Sequence, residues 1–481
     1  MWTIRIVSAR PANGDEGMKR FFRALGVMAG ISAFLGAGAN GAHAAVRDLA
    51  GDWRGMLTLR QGISLPVVLH LAAQGDILTA TMDSPAQGAF HIPVETVRLD
   101  NQTLTLTLPR LSARYVAKIR DDNRTLDGEW SQRNNSLPLI MTHGAAEEVQ
   151  KRPQIPKPPF PYRSEEVSFD NPSGPAHLAG TLTLPQGKGP FPAVLLITGS
   201  GLQDRDETAF GHRPFLVWAD TLTRKGIAVL RVDDRMRGGS TGPVESATTR
   251  DFAQDTEAGL RFLRSHSAID PTRIGLMGHS EGGMIASMIA AHDPGVTFIV
   301  LLEAPPVPGR PIMLAQRDWA MKQSQVPQAV ARESDRDFIA VMDAMTPDQS
   351  QKEADQAADS AWNKIKGTKT GLPADMRIVT MPAIRFMDRY DPASDLARVR
   401  CPVLAVIGSK DRQVPADIAL PAFHRALAAN HQAQIVELPG LNHLLQKAET
   451  GSSGEYSLIE EDIDASALDL VSDWLKAQLH P

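Results

Sequence analysis

The sequence predicts an α/β fold: a mainly parallel sheet covered on both faces by helices, interrupted by a helical cap and preceded by a small antiparallel β-domain. Three observations carry this expectation. From about residue 163 onward, short apolar runs alternate with amphipathic helical patterns, the order that builds a parallel sheet. Between residues 48 and 141 the period is two, and Gly, Asp and Asn separate the runs. A tract with five prolines, 152–162, divides the two regimes.

The 481 residues leave room for two domains. A formal net charge of −5 gives no electrostatic reason to expect nucleic acid or an anionic membrane as partner. At the N-terminus, Lys19, Arg20 and Arg23 precede an apolar run over 24–39, and Ala42-His43-Ala44 supplies a small-x-small cleavage pattern. Residues 1–44 therefore read as a signal peptide cut after Ala44, and the product is expected to be periplasmic or secreted. Met18 sits where such a peptide starts, which points to 1–17 as a misassigned upstream start. The run is short and rich in Gly and Ala for a membrane span, so a retained anchor is the lesser alternative. The lone Cys401 rules out an intramolecular disulfide, and it reads as a small core residue before a strand.

Residues 46–145 form the expected β-domain. Runs at 65–71, 77–82, 103–108 and 113–119 read as strands, with the alternation of Leu104, Leu106 and Leu108 the plainest case. Gly51-Asp-Trp53 opens the region and Gly128-Glu-Trp130 closes it. No His, Cys or carboxylate cluster with ligand spacing occurs there, so the domain is assigned no chemistry. It reads as a structural or substrate-positioning sheet or partly open barrel, with a lipophile-binding barrel as alternative. Residues 146–162 read as a stiff linker.

The catalytic domain is expected over 163–481. Strands are expected at 167–169, 178–184, 193–198, 227–232, 274–277 and 297–302, with helices at 215–225, 251–264 and 281–291 between them. The alternation pauses over about 305–400, too long for a bare loop, and helical patterns at 312–322 and 328–345 make this a cap over the strand ends. Strand 403–407, helix 415–429, strand 434–438 and helix 465–479 complete the sheet.

Gly278-His279-Ser280-Glu281-Gly282 lies between an apolar strand and an Ala/Met/Ile-rich helix, the setting of a nucleophile elbow. The same pattern at Gly238-Gly-Ser240-Thr-Gly242 has no helix after it and reads as a loop. A serine hydroxyl needs a base, and the base needs an orienting acid. Both belong at the C-terminal ends of later strands. Asp411 follows strand 403–407 and His443 follows strand 434–438. His424, His431 and His480 follow no strand, and His279 is expected to point away from the serine. A helix-capping role is the alternative for Asp411, and Glu303, after strand 297–302, is the rival acid. Oxyanion donors are expected from the backbone of Glu281 and from the turn Thr198-Gly-Ser-Gly-Leu202, with Ser200 favoured and Gly201 next.

These motifs carry a resemblance. The chain order Ser280, Asp411, His443 is that of the α/β-hydrolase superfamily, and 163–481 resembles its core. With Thr198-Gly-Ser-Gly-Leu-Gln-Asp-Arg-Asp-Glu207, Arg231-Val-Asp-Asp-Arg-Met-Arg-Gly-Gly-Ser-Thr-Gly242, Gly408-Ser-Lys-Asp411 and Asp83-Ser-Pro-Ala-Gln-Gly88, the chain is similar to exported two-domain bacterial esterases of the EstD type. Such proteins are often labelled serine aminopeptidase or prolyl-oligopeptidase-like hydrolases. The resemblance implies a carboxylesterase acting through an acyl-serine on esters of small to medium acyl chain, without cofactor or metal. Two departures stand out: Thr198-Gly199 replaces a His-Gly pair, and Met236 occupies the glycine of Asp-x-Arg-Gly. Asp204, Arg205, Asp206 and Glu207 read as a loop-stabilising network. The competing readings are a serine peptidase with the same triad, for which the sequence offers no group to bind a peptide amine, and a non-catalytic lipophile-binding protein.

Overall fold

In the computed structural model, which describes residues 49–58, 64–75, 77–84, 89–132, 135–144 and 151–479, the period-two region becomes one antiparallel sheet. The expected signal peptide and His480 lie outside the described residues. The sheet runs through β1 (Gly51–Thr58), β2 (Ser64–Gln74), β3 (Ile77–Ser84), β4 (Ala89–Val94), β5 (Thr96–Asp100), β6 (Thr103–Leu108), β7 (Ala113–Ile119), β8 (Thr125–Gln132) and β9 (Asn135–His143). Their order is β4-β3-β2-β1-β9-β8-β7-β6-β5, so the first and last strands meet in the middle. The sheet curls until β3 and β4 approach β5 and β6. Leu104, Leu106 and Leu108 point inward as their alternation requires, beside Trp53, Tyr115 and Trp130. The polar tips of two buried rings are satisfied, Trp53 Nε1–H by Leu49 O at 2.8 Å and Tyr115 O–H by Leu139 O at 2.9 Å.

Five of these strands escape the pattern reading, partly because glycine looks like punctuation. Gly55 and Gly128 lie inside β1 and β8, where an added Cβ would stand 2.3 Å from Ile140 O and 2.5 Å from the Ala117 Cβ. They mark close backbone crossings rather than turns. Cross-strand register also gathers residues that sequence spacing keeps apart. His70 lies between Asp52 and Asp83, with Nδ1 2.7 Å from one carboxylate and Nε2 2.9 Å from the other.

A second compact unit begins at Gln150. Its sheet has the order β10-β11-β13-β12-β14-β15-β16-β17, antiparallel over the first three strands and parallel beyond. The elements are β10 (Arg163–Asp170), β11 (His177–Leu184), β12 (Phe191–Ile197), α1 (Pro214–Arg224), β13 (Ala228–Val232), α2 (Thr249–Ser265), β14 (Ile269–His279), α3 (Glu281–Ala290) and β15 (Ile299–Leu302). The cap follows as α4 (Gly309–Gln323), α5 (Gln328–Asp343), α6 (Gln351–Lys366), a 3₁₀ turn (Ala374–Thr380), α7 (Pro382–Arg389) and α8 (Pro392–Leu396). The sheet resumes with β16 (Val403–Gly408), α9 (Ala416–Ala426) and β17 (Ala433–Leu438), then α10 (Ser453–Tyr456) and α11 (Ala465–Leu479). Helices α2, α3 and α9 cover one face of the sheet; α1 and α11 cover the other. This is the α/β-hydrolase fold.

Three local differences have physical reasons. Helix α2 starts before Asp251, which instead closes a capping box with Thr248. Helix α6 has no strong apolar stripe, because its buried face is Ala354 and Ala358. Residues 151–162 do not hang free as a linker: Gln154 bonds the backbone of Asp462 and Ile463, and Tyr162 O–H donates to Asp220 at 2.9 Å. The cap has its own core of Met313, Phe338, Val341, Met342, Ile384 and Met387, joined by Met284 from α3. Arg310 in α4 forks onto Asp388 in α7 with two bonds of 2.8 Å.

Met236 occupies a left-handed conformation, φ 62°, with 62% of its surface exposed. That backbone explains the glycine found at this position in the resembling esterases. Left-handed backbone costs a side chain about 1–2 kcal/mol, partly offset by the greater entropy a glycine loses. Met236→Gly is therefore expected to stabilise the protein by about 0.5–1 kcal/mol, read as a higher midpoint in urea unfolding with an unchanged slope.

Candidate active site

Strand β14 is buried along its second half and delivers Ser280 into a turn with φ 52° and ψ −118°. The turn is held by Ser280 N–H donating to Leu302 O at 2.8 Å and by Gly283 N–H donating to Ser280 O at 3.0 Å. Its tightness dictates the glycines. A Cβ at position 278 would stand 2.1 Å from Gly282 O, and one at 282 would stand 2.1 Å from Ile197 O. Ser280 is thereby pushed out at the N-terminus of α3, where negative charge is favoured. Ser240, by contrast, is buried structure: its Oγ accepts from Ala179 N–H and donates to Asp233 O, both at 2.8 Å.

Asp411 and His443 come together from the ends of β16 and β17. Gly408 packs against Leu441 O, and Lys410 N–H donates to the same carbonyl at 2.9 Å, so the two loops are tied. Asp411 Oδ1 accepts from Gln413 and Val414 N–H at 2.6 and 2.9 Å, while Oδ2 takes His443 Nδ1–H at 2.6 Å. The helix-capping alternative does not hold, since α9 starts at Ala416 without a side-chain cap and Oδ1 instead braces the turn before it, leaving Oδ2 to His443. Burial pushes His443 below its usual value and outweighs the pull of Asp411, so the ring is neutral at neutral pH. Burial alone would raise Asp411; the charge and hydrogen bond of His443, then Glu303 and the Val414 N–H, hold it low. His424 and His431 are exposed on and beyond α9.

Glu303 is fully buried at φ 50°, its Oε1 accepting from Gly408 N–H at 2.7 Å. Its carboxyl lies within 4.8 Å of the facing atoms of Asp411 and His443. Burial, then the charge of Asp411, pushes it well above the carboxylate range. Glu303 is the protonated member of the pair and Asp411 the charged one. Carboxylates and imidazole at such spacing also suit a metal ion, but two tetrahedral zinc ligands stand about 3.3 Å apart. The 2.6 Å between His443 and Asp411 is a hydrogen bond instead.

The oxyanion turn is less open than its glycines suggest. Gly199 N–H is taken by Glu207 Oε1 at 2.6 Å. Among the described residues, no acceptor takes the N–H of Ser200 or of Glu281, and both residues line one cleft with Ser280. The charged run holds this turn in place. Asp204 accepts from the N–H groups of Asp206 and Thr208, Arg205 forks onto Asp233, and Asp206 pairs with Arg231.

Two residues in direct support of the site were not singled out as functional by the sequence. Asn442 is fully buried; its Oδ1 accepts from Leu444 and Gln446 N–H and its Nδ2–H donates to Gln446 Oε1, shaping the bend that presents His443. An Asn just before the histidine in a post-strand loop was the available signal. His279 turns from the serine toward Glu207, 2.8 Å away, and toward the main-chain carbonyl of His443, also at 2.8 Å. Nothing in its spacing marks it, because its partners come from two distant loops.

The cleft above Ser280 is walled by Met284, Ile312, Met313, Ile384 and Met387, with Gln316 and Gln413 as polar exceptions. Its single carboxyl, Glu281, is buried, raised by desolvation, and bound to Thr249 O–H at 2.6 Å.

The X-Pro dipeptidyl-peptidase (S15 family) pattern matches residues 173–441, more than half of the chain. The chain belongs to the S15 family. Among curated proteins, this S15 member is 27% identical to Esterase EstD of Thermotoga maritima over 300 residues, 62% of this chain and 65% of that one. It is 30% identical to Esterase FrsA of an Enterobacter species over 131 residues, 27% of this chain and 29% of that one. Each match therefore spans less than two thirds of the relative's length. The solved Pyrococcus furiosus esterase Pf2001 shares 14% identity with a TM-score of 0.42, covering 68% of this chain and 98% of that one. The sheet order and the family match place the chain in the α/β-hydrolase superfamily.

Removing the amide of Asn442 leaves two buried N–H groups without acceptors. Asn442→Ala is expected to cost about 2–4 kcal/mol in denaturant unfolding, with hydrogen exchange accelerated first at residues 442–446.

Proposed function

We propose that the protein is a serine carboxylesterase that cleaves esters of small to medium acyl chain through an acyl-Ser280 intermediate. The observation that carries this is the cleft: the serine at its floor faces apolar and methionine side chains, and its one carboxyl is already engaged by Thr249. His443 Nε2 takes the Ser280 proton as Oγ attacks the ester carbonyl, and Nδ1–H remains on Asp411. The N–H groups of Ser280's neighbour Glu281 and of Ser200 stabilise the oxyanion. His443 then returns the proton to the leaving alcohol and activates water on the acyl-enzyme.

The S15 membership favours a second reading, cleavage of an X-Pro peptide. A dipeptidyl-peptidase must hold a substrate ammonium, which calls for a free carboxylate in the cleft. Glu281, buried and already bonded to Thr249 O–H, does not suit that task. A lipophile-binding role for the β-domain is disfavoured by an interior filled with Leu, Trp and Tyr side chains. Among the described residues no helix is long and apolar enough to cross a membrane. With the cleavage pattern at Ala42-His43-Ala44, we propose export to the periplasm or medium; a mature chain starting at Ala45 on N-terminal sequencing supports it, and an unprocessed cytoplasmic chain refutes it.

A fluorophosphonate probe is expected to label Ser280, with labelling lost in Ser280→Ala. Hydrolysis of p-nitrophenyl butyrate is expected to exceed that of an X-Pro anilide by at least about 100-fold in kcat/KM, a difference of about 3 kcal/mol; the opposite ranking would overturn the esterase reading. Because His443 must be neutral to act, kcat/KM is expected to rise with pH through a limb below 6.5 and then level off.

The carboxyl pair separates in the same assay. Asp411→Asn is expected to lower kcat by about 10³–10⁴-fold through loss of the oriented tautomer. Glu303→Gln replaces a carboxyl that is already neutral and is expected to cost under about tenfold. A Glu303→Gln loss as large as that of Asp411→Asn would reassign the orienting acid.

A further inference from the structure

The two acceptors around His279 point to a protonation state that the proposed triad chemistry does not use. Nε2 lies 2.8 Å from the main-chain O of His443, which can only accept, so Nε2 carries a proton. Nδ1 lies 2.8 Å from Glu207 Oε1, the oxygen that also accepts Gly199 N–H at 2.6 Å. Glu207 Oε2 is buried and takes no hydrogen bond from the protein, so the charge of Glu207 is met on Oε1 by His279 and Gly199. The arrangement closes when Glu207 is a carboxylate and both ring nitrogens of His279 are donors.

We propose that His279 is a positioning residue carried as a buried imidazolium. Clamped between the Glu207 carboxylate and the His443 carbonyl, it locks the oxyanion turn to the base loop and sets the acid limit of the reaction. The catalytic half of this proposal rests on the reading of His443 as the base. The mechanical half follows from connectivity. Glu207 grips Gly199 beside Ser200, His279 adjoins the nucleophile, and the carbonyl belongs to the base itself, so three separate loops meet on one ring. Glu207 adopts φ 54°, a left-handed backbone that a glutamate avoids unless its surroundings impose it.

The electrostatic half follows from proximity. The two histidine rings lie 4.8 Å apart, centre to centre, so a charge on His279 opposes a second charge on His443. Asp411 and Glu207 pull the other way on His443, while Glu303 is neutral beside Asp411 and Tyr456 lies in the same buried field. On the far side, desolvation raises both Asp234 and Glu281, and Asp234 also feels the charges of Glu281 and Glu207. Burial alone would strip the proton from His279; the charge and hydrogen bond of Glu207 outweigh it and hold the ring above its usual value.

The test is the pH dependence of kcat/KM on p-nitrophenyl butyrate for wild type, His279→Asn and Glu207→Gln. In His279→Asn the opposing charge disappears and Glu207 is left negative. The acid limb is expected to move up by about one pH unit, an approximately tenfold loss below the limb, with a smaller loss on the plateau. In Glu207→Gln the attraction of the carboxylate and the repulsion of the imidazolium vanish together, so the limb is expected to move less than half as far. A limb unmoved in His279→Asn overturns the electrostatic role, since a purely structural brace lowers the plateau alone. Should His279→Asn fail to fold, ¹⁵N-histidine NMR decides. One ring is expected to keep both N–H signals at pH 8.5 in wild type and lose one in Glu207→Gln, and no Glu207-dependent doubly protonated ring overturns the proposal. Wild-type protein without Ser280-dependent turnover would overturn the acid-limit claim along with the triad reading, and the NMR result would still decide the imidazolium.

Discussion

The rest of the site depends on one steric constraint, the approach of α3 to the strands beneath it. At Gly278 and Gly282 the backbone of the elbow runs so close to Gly282 O and Ile197 O that no side chain fits. That closeness puts Ser280 into a backbone region a serine avoids, and the surrounding sheet must hold it there. The sheet does so because Val194, Leu196, Met277, Val300 and Leu302 are buried on one face and Leu195, Leu276 and Leu301 on the other. A sheet packed on both sides has no freedom to relax the turn at its edge.

Strain is shared among the elements that converge there. Ser280, Glu303 and Glu207 are all non-glycine residues at positive φ, and each follows or faces a strand end. Each is also fixed by a short hydrogen bond: Ser280 N–H to Leu302 O at the end of β15, Gly408 N–H at the end of β16 to Glu303, and Gly199 N–H to Glu207 within the loop after β12. The loops are therefore positioned against one another rather than one by one. This explains why two buried carboxyls besides Asp411 can be accommodated. Glu303 is neutral, and Glu207 is balanced by the imidazolium inferred for His279, so Asp411 faces His443 as the charge that orients it.

What could be read from the sequence follows from what local pattern encodes. The strand–helix alternation reports burial on two faces, and α11 agrees with the sequence to the residue because its apolar period is unbroken. The elbow was legible because a tight turn restricts residue type within five positions. The pairing of Asp411 with His443 needed only the rule that sites lie at strand ends. The order of nine β-strands was not legible, since strands such as β4 and β5 span only six and five residues and their partners are set by register across the sheet. Helix α6 was missed for its alanine face. The partnership of His279 with Glu207 and the His443 carbonyl joins positions 72 and 164 residues apart, which no local period records. Glu303 was visible as an acid at a strand end, but its protonation depends on burial and on Asp411, both properties of the folded chain.

The fork of Arg310 on Asp388 joins the first helix of the cap to one of its last. It works as a clasp at the neck of the inserted segment, on the side nearest the cleft. Cleft-lining Ile312, Met313, Ile384 and Met387 all belong to the two clasped helices, whereas α5 and α6 lie beyond the neck. Arg310 also reaches Asp343 at the end of α5, and Phe338, Val341 and Met342 of that helix share one core with Met313, Ile384 and Met387. The walls facing Ser280 are thus backed by the rest of the cap, so a change of volume in its outer helices is felt at the cleft.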